Sequence, residues 1–417
     1  MDPKDIARGI SKEDAKNMAD PVPQPDPKAF DWKKFIPTNW QSIVGSLAIT
    51  LIGMVATYFG LNPGPMPPVP IPVFPEDWVQ IPSDDGKLVH GYATGWVPPR
   101  GEDKKIALQS VPEFADTEAG QAVGVFGDAD GNSFLWKAAI KVRGAHIPTR
   151  NQGSVGSCVG FGFTCAGEYA LAVQVASKAG RPQDGTIDIV QEAVYAFSRV
   201  EQNGGFAPLV GDGSMGSWAA PAIQKYGFLK RGVYGSHDLT KYDTTRCRAW
   251  GRKGVPDELE PEAKKNLVGG AALVKTADEA KKALLQGYPI AVCSDVGFAG
   301  QSQRDANGFL KARGSWGHCM CLIGLNGKDD SFYCMNSWGE DWVGGPLGAG
   351  DPPPGGFWIS KTTVDRMMGQ GDSYAISDVK GFPRRKLNVD DWVLRDRRKD
   401  VLDANKIFGG GFYAMAP

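Results

Sequence analysis

Residues 150–161 read RNQGSVGSCVGF, and this stretch decides the predicted fold. Glycine and serine make its first half a loop, whereas the residues from Cys158 to about Lys178 are spaced as in a helix. Cys158 therefore lies where a helix begins. Unpaired N–H groups and the positive end of the helix dipole favour a thiolate there, and the thiolate is the nucleophilic form of cysteine.

The amide of Gln152 precedes this candidate nucleophile in the same loop. Together with the N–H of Cys158, it forms a candidate donor pair for the oxyanion of a tetrahedral intermediate. A lone cysteine in a glycine-rich turn is more often a small packing residue than a nucleophile. The catalytic prediction therefore depends on a base elsewhere in the chain.

Two downstream stretches supply that base. Residues 317–325 read GHCMCLIGL, which is typical of a buried strand, and residues 332–339 read FYCMNSWG. The chain has only four histidines, so the candidates are few. In a nucleophile–base pair the imidazole of His318 takes the thiol proton, and the side chain of Asn336 fixes which ring nitrogen faces the sulfur.

The three stretches, in this order, resemble the active-site signatures of the papain-like cysteine peptidase family, and the resemblance covers about residues 145–368. It implies an α+β fold with a helical left lobe, a β-barrel-like right lobe and a site in the cleft between them. It also implies that Cys158 is the nucleophile, His318 the base and Asn336 its orienting residue. Gln152 would then hold the oxyanion.

The resemblance extends to the substrate side of the cleft, where residues 212–228 resemble the family's substrate-side loop and following helix. The candidate substrate-binding residues are Gly213, Ser214, Met215, Gly216, Cys319 and Trp338. By resemblance Met215, Gly216 and Cys319 lie near the pocket for the second residue before the scissile bond, which favours an apolar side chain there. Trp338 would cover the hydrogen bond between His318 and Asn336 from water.

Four further segments have readable patterns. Residues 276–287 predict an amphipathic helix, and residues 289–292 predict a buried strand. Residues 76–140 show short alternating runs broken by glycine and proline, which predict strands and turns. The proline- and glycine-rich residues 344–356 predict a surface loop near the cleft.

Composition divides the chain into six segments. They are a polar flexible head (1–42), an apolar helix (43–61), a proline-rich spacer (62–75), an N-terminal extension of unknown role (76–144), the peptidase domain (145–374) and a C-terminal extension (375–417). Seven prolines within residues 63–75 favour polyproline II and hence a semi-rigid spacer.

The apolar segment is predicted to span a membrane. Its nineteen uncharged residues, at about 1.5 Å each, cover the bilayer core. Lysines cluster before it, which predicts the N-terminus inside and the catalytic domain outside. Small residues on one helix face predict self-association: Ser46, Thr50, Gly53, Thr57 and Gly60. A buried apolar hairpin or helix and a cleaved signal peptide are the alternatives.

The overall composition excludes several classes of partner. Lysine plus arginine (46) and aspartate plus glutamate (47) nearly balance, so no basic stripe for nucleic acid is expected. No nucleotide-binding or metalloprotease pattern occurs, so no cofactor and no metal are expected. Cys319, Cys321 and Cys334 lie near His318, but their positions along a strand favour core packing over a metal site.

The sequence thus favours a membrane-tethered thiol endopeptidase, a hydrolase that cuts peptide or protein substrates by Cys-His covalent catalysis. The first alternative is a structural or scaffolding protein with little or no turnover, for example in a viral particle or a membrane assembly. The second alternative is acyl transfer or hydrolysis of a non-protein amide by the same two residues, because a fold does not fix the acyl acceptor.

Overall fold

The computed structural model describes residues 80–82, 88–90, 93–123, 127–177, 188–209, 211–298, 303–378 and 380–387. The predicted head, the apolar segment 43–61 with its small-residue face, and the proline-rich spacer lie outside the described residues. The predicted membrane span and self-association therefore stay predictions.

The described chain contains both strands and helices. The strands are β1 (Gln80–Pro82), β2 (Leu88–His90), β3 (Ser133–Phe134), β4 (Val233–Tyr234), β5 (His237–Asp238), β6 (Gly270–Val274), β7 (Ile290–Val296), β8 (Ser315–Asn326), β9 (Ser331–Met335), β10 (Gly356–Ile359) and β11 (Ser373–Ser377). The helices are α1 (Gly101–Leu108), α2 (Glu118–Gln121), α3 (Leu135–Arg143), α4 (Cys158–Ser177), α5 (Gln191–Arg199), α6 (Gly216–Tyr226), α7 (Thr244–Lys253), α8 (Glu260–Lys264), α9 (Ala277–Leu285) and α10 (Lys361–Met368).

Seven strands form one antiparallel sheet in the order β10-β9-β8-β7-β11-β6, with β3 paired to β8. These strands are buried almost throughout, so their sequences read as continuous apolar runs. The predicted α+β class is confirmed. The described strand pairings run from β10 at one end to β6 at the other. None of the described pairings joins these two end strands, so they do not close the sheet into the predicted barrel.

Helix α4 packs against the sheet and carries Cys158 at its first position. The approach is close because Gly162 has no side chain: a Cβ there would lie 2.5 Å from Cys319 Sγ and 2.9 Å from the Met320 carbonyl oxygen. This contact places the start of α4 beside β8, the strand that contains His318.

Helix α4 is also the one helix in the described ranges that is long and apolar enough to cross a membrane. Within its apolar window 78% of the residues are buried, and the neighbours that bury them are the sheet and the surrounding helices. Its apolar character is explained by its place in the protein core.

Helices α5 to α8 contribute to a second hydrophobic cluster beside the sheet-centred core. Its members include Val190, Phe197, Ala222, Leu229, Trp250 and Ala263. This helical cluster matches the all-helical part of the predicted fold, although the division into two lobes with a cleft stays a prediction.

Several elements form where the sequence predicts them, and others do not. The helices α4, α6 and α9 and the strands β7 and β8 match their predicted positions. The prediction of strands and turns for residues 76–140 is wrong in part, because α1, α2 and most of α3 are helical there. The signal for α3 was present: Gly144 ends it in the left-handed conformation, with φ of 76°.

The predicted segment boundaries at 144 and 374 do not separate compact units. Trp96, Phe114 and Trp136 are buried in the same core as α4 and the sheet. Strand β11 runs across residue 374, and beyond it Phe382 is buried against Phe114, with their rings 5.7 Å apart. The two predicted extensions therefore help to build the core of the domain.

Candidate active site

The candidate nucleophile Cys158 is fully buried at the start of α4. The loop before it is fixed to the turn that follows Asn336: the Gln152 N–H donates to the Ser337 carbonyl at 2.8 Å, and the Gly339 N–H donates to the Arg150 carbonyl at 2.9 Å. Segments far apart in the chain are thereby held together at the candidate site.

The candidate base His318 lies on β8, and Asn336 follows directly after the neighbouring strand β9. The Nε2 atom of His318 lies 2.8 Å from Asn336 Oδ1. The Trp338 ring stacks on the imidazole with centroids 4.5 Å apart and an interplanar angle of 29°. Because Nε2 bonds the amide oxygen, the proton is assigned to Nε2 and Nδ1 is left as the acceptor.

Gln152 is also completely buried and is held at both ends of its side chain. Its Oε1 accepts from Ser337 Oγ at 2.6 Å, and its Nε2 donates to the Val155 carbonyl at 2.9 Å. An amide nitrogen has two N–H groups, so one N–H of Gln152 is not used by the Val155 bond.

The substrate-side residues lie at the start of α6 and just before it. The Ser214 hydroxyl lies 2.8 Å from Ser198 Oγ, and Met215 is 2% exposed. The buried Arg199 side chain donates to the carbonyls of Leu209, Gly211 and Gly213 and so fixes the loop that leads to them. Cys319, the remaining predicted contact, is buried beside Cys158.

Residues 93–97, which we call the strap, lie across this site and connect its two sides. On one side the Gly95 and Trp96 N–H groups both donate to the Gly317 carbonyl at 3.0 Å. On the other side the Val97 N–H donates to the Ser214 carbonyl at 2.9 Å, and the Ser214 N–H donates to the Gly95 carbonyl at 2.8 Å. No pattern in the sequence indicates this contact.

The strap passes very close to the loop before Cys158. A Cβ on Gly95 would lie 1.9 Å from the Gly156 carbonyl oxygen, so only glycine fits at this position. Trp338 Nε1 donates to the Ala93 carbonyl at 3.0 Å. As a result, neither Cys158 nor His318 has any solvent-accessible surface.

Burial favours the electrically neutral forms of the candidate residues Cys158 and His318. It raises the pKa of the Cys158 thiol well above its usual value, although the N–H groups of Cys319, Val159 and Trp96 face the sulfur and partly oppose the shift. Burial also lowers the pKa of His318 to about 4, against the opposing hydrogen bond from Asn336. His318 Nδ1 has no hydrogen-bond partner. The closed form therefore holds a thiol and a neutral imidazole.

Asp372 is a further buried residue of the site, and the sequence analysis missed it. It directly precedes β11, and its Oδ2 accepts from Trp96 Nε1 at 2.7 Å and from the Gly216 N–H at 2.8 Å. Burial raises its pKa to about 7. No spacing motif marks Asp372, since its contact with Trp96 joins residues 276 positions apart.

The cysteines near His318 lie in the apolar core. All cysteines in the described ranges are free thiols, and those ranges contain no cluster of three or more histidine, cysteine, aspartate or glutamate side chains arranged to hold a metal ion. Cys319, Cys321 and Cys334 are buried among the apolar core residues, where they fill space.

The chain was compared with known proteins. No protein-family model matches it, and no curated protein matches it in sequence. Among solved structures it is similar to the cysteine protease xylellain from Xylella fastidiosa, with 16% identity over 70% of this chain and 98% of that chain and a TM-score of 0.44. It is also similar to the digestive procathepsin L2 proteinase of Tenebrio molitor larval midgut, with 18% identity over 69% of this chain and 78% of that chain and a TM-score of 0.40. A third similar structure is bromelain from Ananas comosus, with 15% identity over 59% of this chain and 98% of that chain and a TM-score of 0.35.

Proposed function

We propose that this chain is a papain-like thiol peptidase that hydrolyses peptide bonds with Cys158 as nucleophile and His318 as base. The observation that carries the proposal is the bond of 2.8 Å between His318 Nε2 and Asn336 Oδ1 under the stacked Trp338 ring. It leaves Nδ1 without a partner on the β8 strand beside Cys158. A buried histidine held in one tautomer, on the strand beside a helix-start cysteine, supports a thiol mechanism in which Nδ1 acts as the base.

The proposed reaction begins when His318 Nδ1 accepts the proton of Cys158. The thiolate attacks the carbonyl carbon of the substrate, and the oxyanion is held by the N–H of Cys158 and the second N–H of Gln152. His318 then gives its proton to the amine that leaves. Water, activated by the same imidazole, hydrolyses the thioester and releases the acid product.

The described form must open before a substrate can react. The strap covers the nucleophile, and the Trp96 N–H faces the sulfur. Withdrawal of the strap would admit water and reverse the two burial shifts, raising the pKa of His318 and lowering that of Cys158. We infer that strap opening controls activity.

The test is covalent labelling of the full chain with an epoxide-type thiol-peptidase probe. The Trp96→Ala chain, in which the strap is weakened, should be labelled on one cysteine, and both Cys158→Ala and His318→Ala in that background should lose the label by about a hundredfold or more. Cys165→Ala is the matched control, since Cys165 is also on α4, and it should label normally. Labelling that persists in Cys158→Ala would overturn the proposal.

The closed cleft is also the observation that favours the scaffold alternative. A protein that keeps Cys158 and His318 without solvent exposure has no turnover while it stays closed. The two functions differ in the opened chain: a peptidase reacts with the probe through His318, whereas a scaffold carries an ordinary buried thiol whose labelling does not depend on His318.

Membrane tethering by residues 43–61 is a separate proposal that rests on the sequence alone. It predicts that the full chain partitions with membranes and resists extraction at alkaline pH, with the catalytic domain on the outer side. Deletion of residues 43–61 should release the protein in folded form. A full chain that fractionates with soluble proteins would contradict tethering and leave the peptidase proposal intact.

A further inference from the structure

The Trp96 side chain fills a pocket that ends in a carboxylate. The indole is 2% exposed, and its Nε1 donates to Asp372 Oδ2 at 2.7 Å. The Gly216 N–H donates to the same oxygen at 2.8 Å, and the Tyr374 hydroxyl donates to Asp372 Oδ1 at 3.3 Å. The pocket therefore holds both the apolar ring of the indole and its polar N–H group.

Asp372 has no countercharge in the part of the chain that the structure describes. It is fully buried and belongs to no ion pair there. The nearest basic group that acts on it is Lys104, whose Nζ donates to the Gln370 carbonyl instead. A buried carboxylate without a cation depends on its hydrogen-bond donors, so removal of the indole would take one donor away and leave the Gly216 N–H and the Tyr374 hydroxyl.

The pocket opens next to the candidate nucleophile. The main chain of Trp96 faces the Cys158 sulfur, while its neighbours bond Ser214 and Gly317. A peptide that replaced the strap would find the same N–H and carbonyl partners for its own main chain. Its side chain at the position of Trp96 would point toward Asp372.

We propose that Asp372 determines the substrate specificity of the cleft, and that its pocket takes a peptide side chain that ends in an N–H donor, tryptophan or arginine. This inference rests on the proposed function and departs from the apolar preference that the sequence resemblance implies. A leucine side chain would offer the carboxylate no donor in place of the indole N–H, and a glutamate would place a second carboxylate against it.

The direct test measures binding to the full chain with Trp96→Ala, in which the indole cavity is free. Calorimetry would compare indole with 1-methylindole, which has the same shape and no N–H donor, and with phenylguanidinium. We expect indole to bind about tenfold tighter than 1-methylindole. In the double variant Trp96→Ala/Asp372→Asn, indole binding should persist because the amide oxygen still accepts, and phenylguanidinium binding should fall about tenfold or more.

Equal binding of indole and 1-methylindole, or binding of neither, would overturn the proposal. If Trp96→Ala does not fold, Trp96→Leu retains an apolar side chain in the strap and serves in the second assay. In that assay, peptide probes that carry tryptophan, arginine, leucine or glutamate at the pocket position are compared by their rate of Cys158 labelling. Tryptophan and arginine should react about tenfold faster than leucine, and a leucine preference would refute the assignment.

The Asp372 pocket and the peptidase function are tested by separate measurements. Binding of indole over 1-methylindole does not require a reactive thiol, so it supports or refutes the pocket even if Cys158 is inert. Loss of probe labelling in a chain that still binds indole would refute the peptidase proposal alone.

Discussion

At the scale of single residues, complete burial opposes both of the charged forms that the proposed catalysis needs. Desolvation disfavours both the thiolate of Cys158 and the imidazolium of His318, because each charge would lie in a dry interior. The dipole at the start of α4 favours the thiolate, yet it does not outweigh complete burial here. The sequence predicted the pair but not its neutral state, which depends on a segment far away in the chain.

The role of Asn336 leads to the first prediction. Asn336→Ala removes the acceptor for His318 Nε2 and leaves a buried N–H unsatisfied, so the imidazole loses its fixed tautomer. The rate of probe labelling in the Trp96→Ala background should fall about ten- to hundredfold. Asn203→Ala is the control, since the Asn203 amide donates to the Ser198 and Arg199 carbonyls rather than bonding His318, and it should not change the rate. An unchanged rate in Asn336→Ala would refute the orienting role.

The candidate triad could be predicted because each member lies in a short local pattern. Cys158 begins a helix after a glycine loop, and Asn336 lies in the Asn-Ser-Trp-Gly turn. Asp372 and Trp96 have no such pattern, and their importance comes from one hydrogen bond across 276 positions. Long-range contacts of this kind leave no periodic trace in a sequence.

At the scale of elements, the strap is the feature that decides access. It has no helix or sheet of its own and is held by main-chain hydrogen bonds to both sides of the site. Its apolar contacts are those of Trp96 in the main core and of Val97 with the cluster of Leu209, Met215 and Trp218. We expect such a segment to open more easily than the buried, fully paired strands beneath it.

The substitution Gly95→Ala tests whether the strap limits access to Cys158. Gly95→Ala would place Cβ 1.9 Å from the Gly156 carbonyl oxygen, so the strap must lift. We expect alkylation of Cys158 by iodoacetamide to become about tenfold faster or more. The control is Gly101→Ala, where a Cβ meets nothing within 4 Å and the rate should not change.

An unchanged rate in Gly95→Ala with the melting temperature preserved would show that the strap does not limit access to the thiol. A large fall in melting temperature in both glycine variants would instead indicate general unfolding, and protection of backbone amides from hydrogen exchange in β8 distinguishes the two cases.

Elements with strong apolar periodicity were predicted well, and short mixed ones were not. Helix α9 follows the Thr276 cap, whose side chain accepts from the Glu279 N–H, and residues 319–325 of β8 form a buried apolar run. Helix α1 has only eight residues, most of them charged or exposed, so its pattern carries little information. Its position is set by tertiary contacts, among them the bond from Trp218 Nε1 to Asp103.

At the scale of the whole molecule, the buried ionisable groups predict how stability changes with pH. Asp372 has a folded-state pKa of about 7, above its unfolded value of 3.8. The stability that it contributes is fully present below pH 3.8 and is lost as the pH rises through about 7. His318 has the opposite sign: its contribution is present above pH 6.5 and is lost as the pH falls through about 4.

Chemical unfolding of the full chain between pH 4.5 and 8 measures this dependence. As the pH rises toward 8, the free energy of unfolding of the wild type should fall relative to that of Asp372→Asn. The reason is that the buried Asp372 carboxyl ionises, whereas asparagine does not titrate. The wild type should also lose stability as the pH falls below 6.5, because His318 is protonated in the unfolded chain. This loss should be absent in His318→Gln. Parallel pH profiles for the wild type and Asp372→Asn would contradict the burial of an ionisable carboxyl at this place.

The division of the chain into segments was the least predictable property of the molecule. Composition places boundaries at 144 and 374, yet Trp96, Trp136 and Phe382 are buried in the common core. A sequence shows where polarity changes, whereas a domain boundary depends on which segments bury surface against each other.

The measurement that we would make first is hydrolysis of a mixed peptide library by the full chain with Gly95→Ala, with Cys158→Ala in the same background as control. We predict cleaved peptides with tryptophan or arginine at one fixed position near the cut, and no cleavage by the Cys158→Ala chain. An opened, folded chain that cuts no peptide, or equal cleavage with and without Cys158, would contradict the peptidase function.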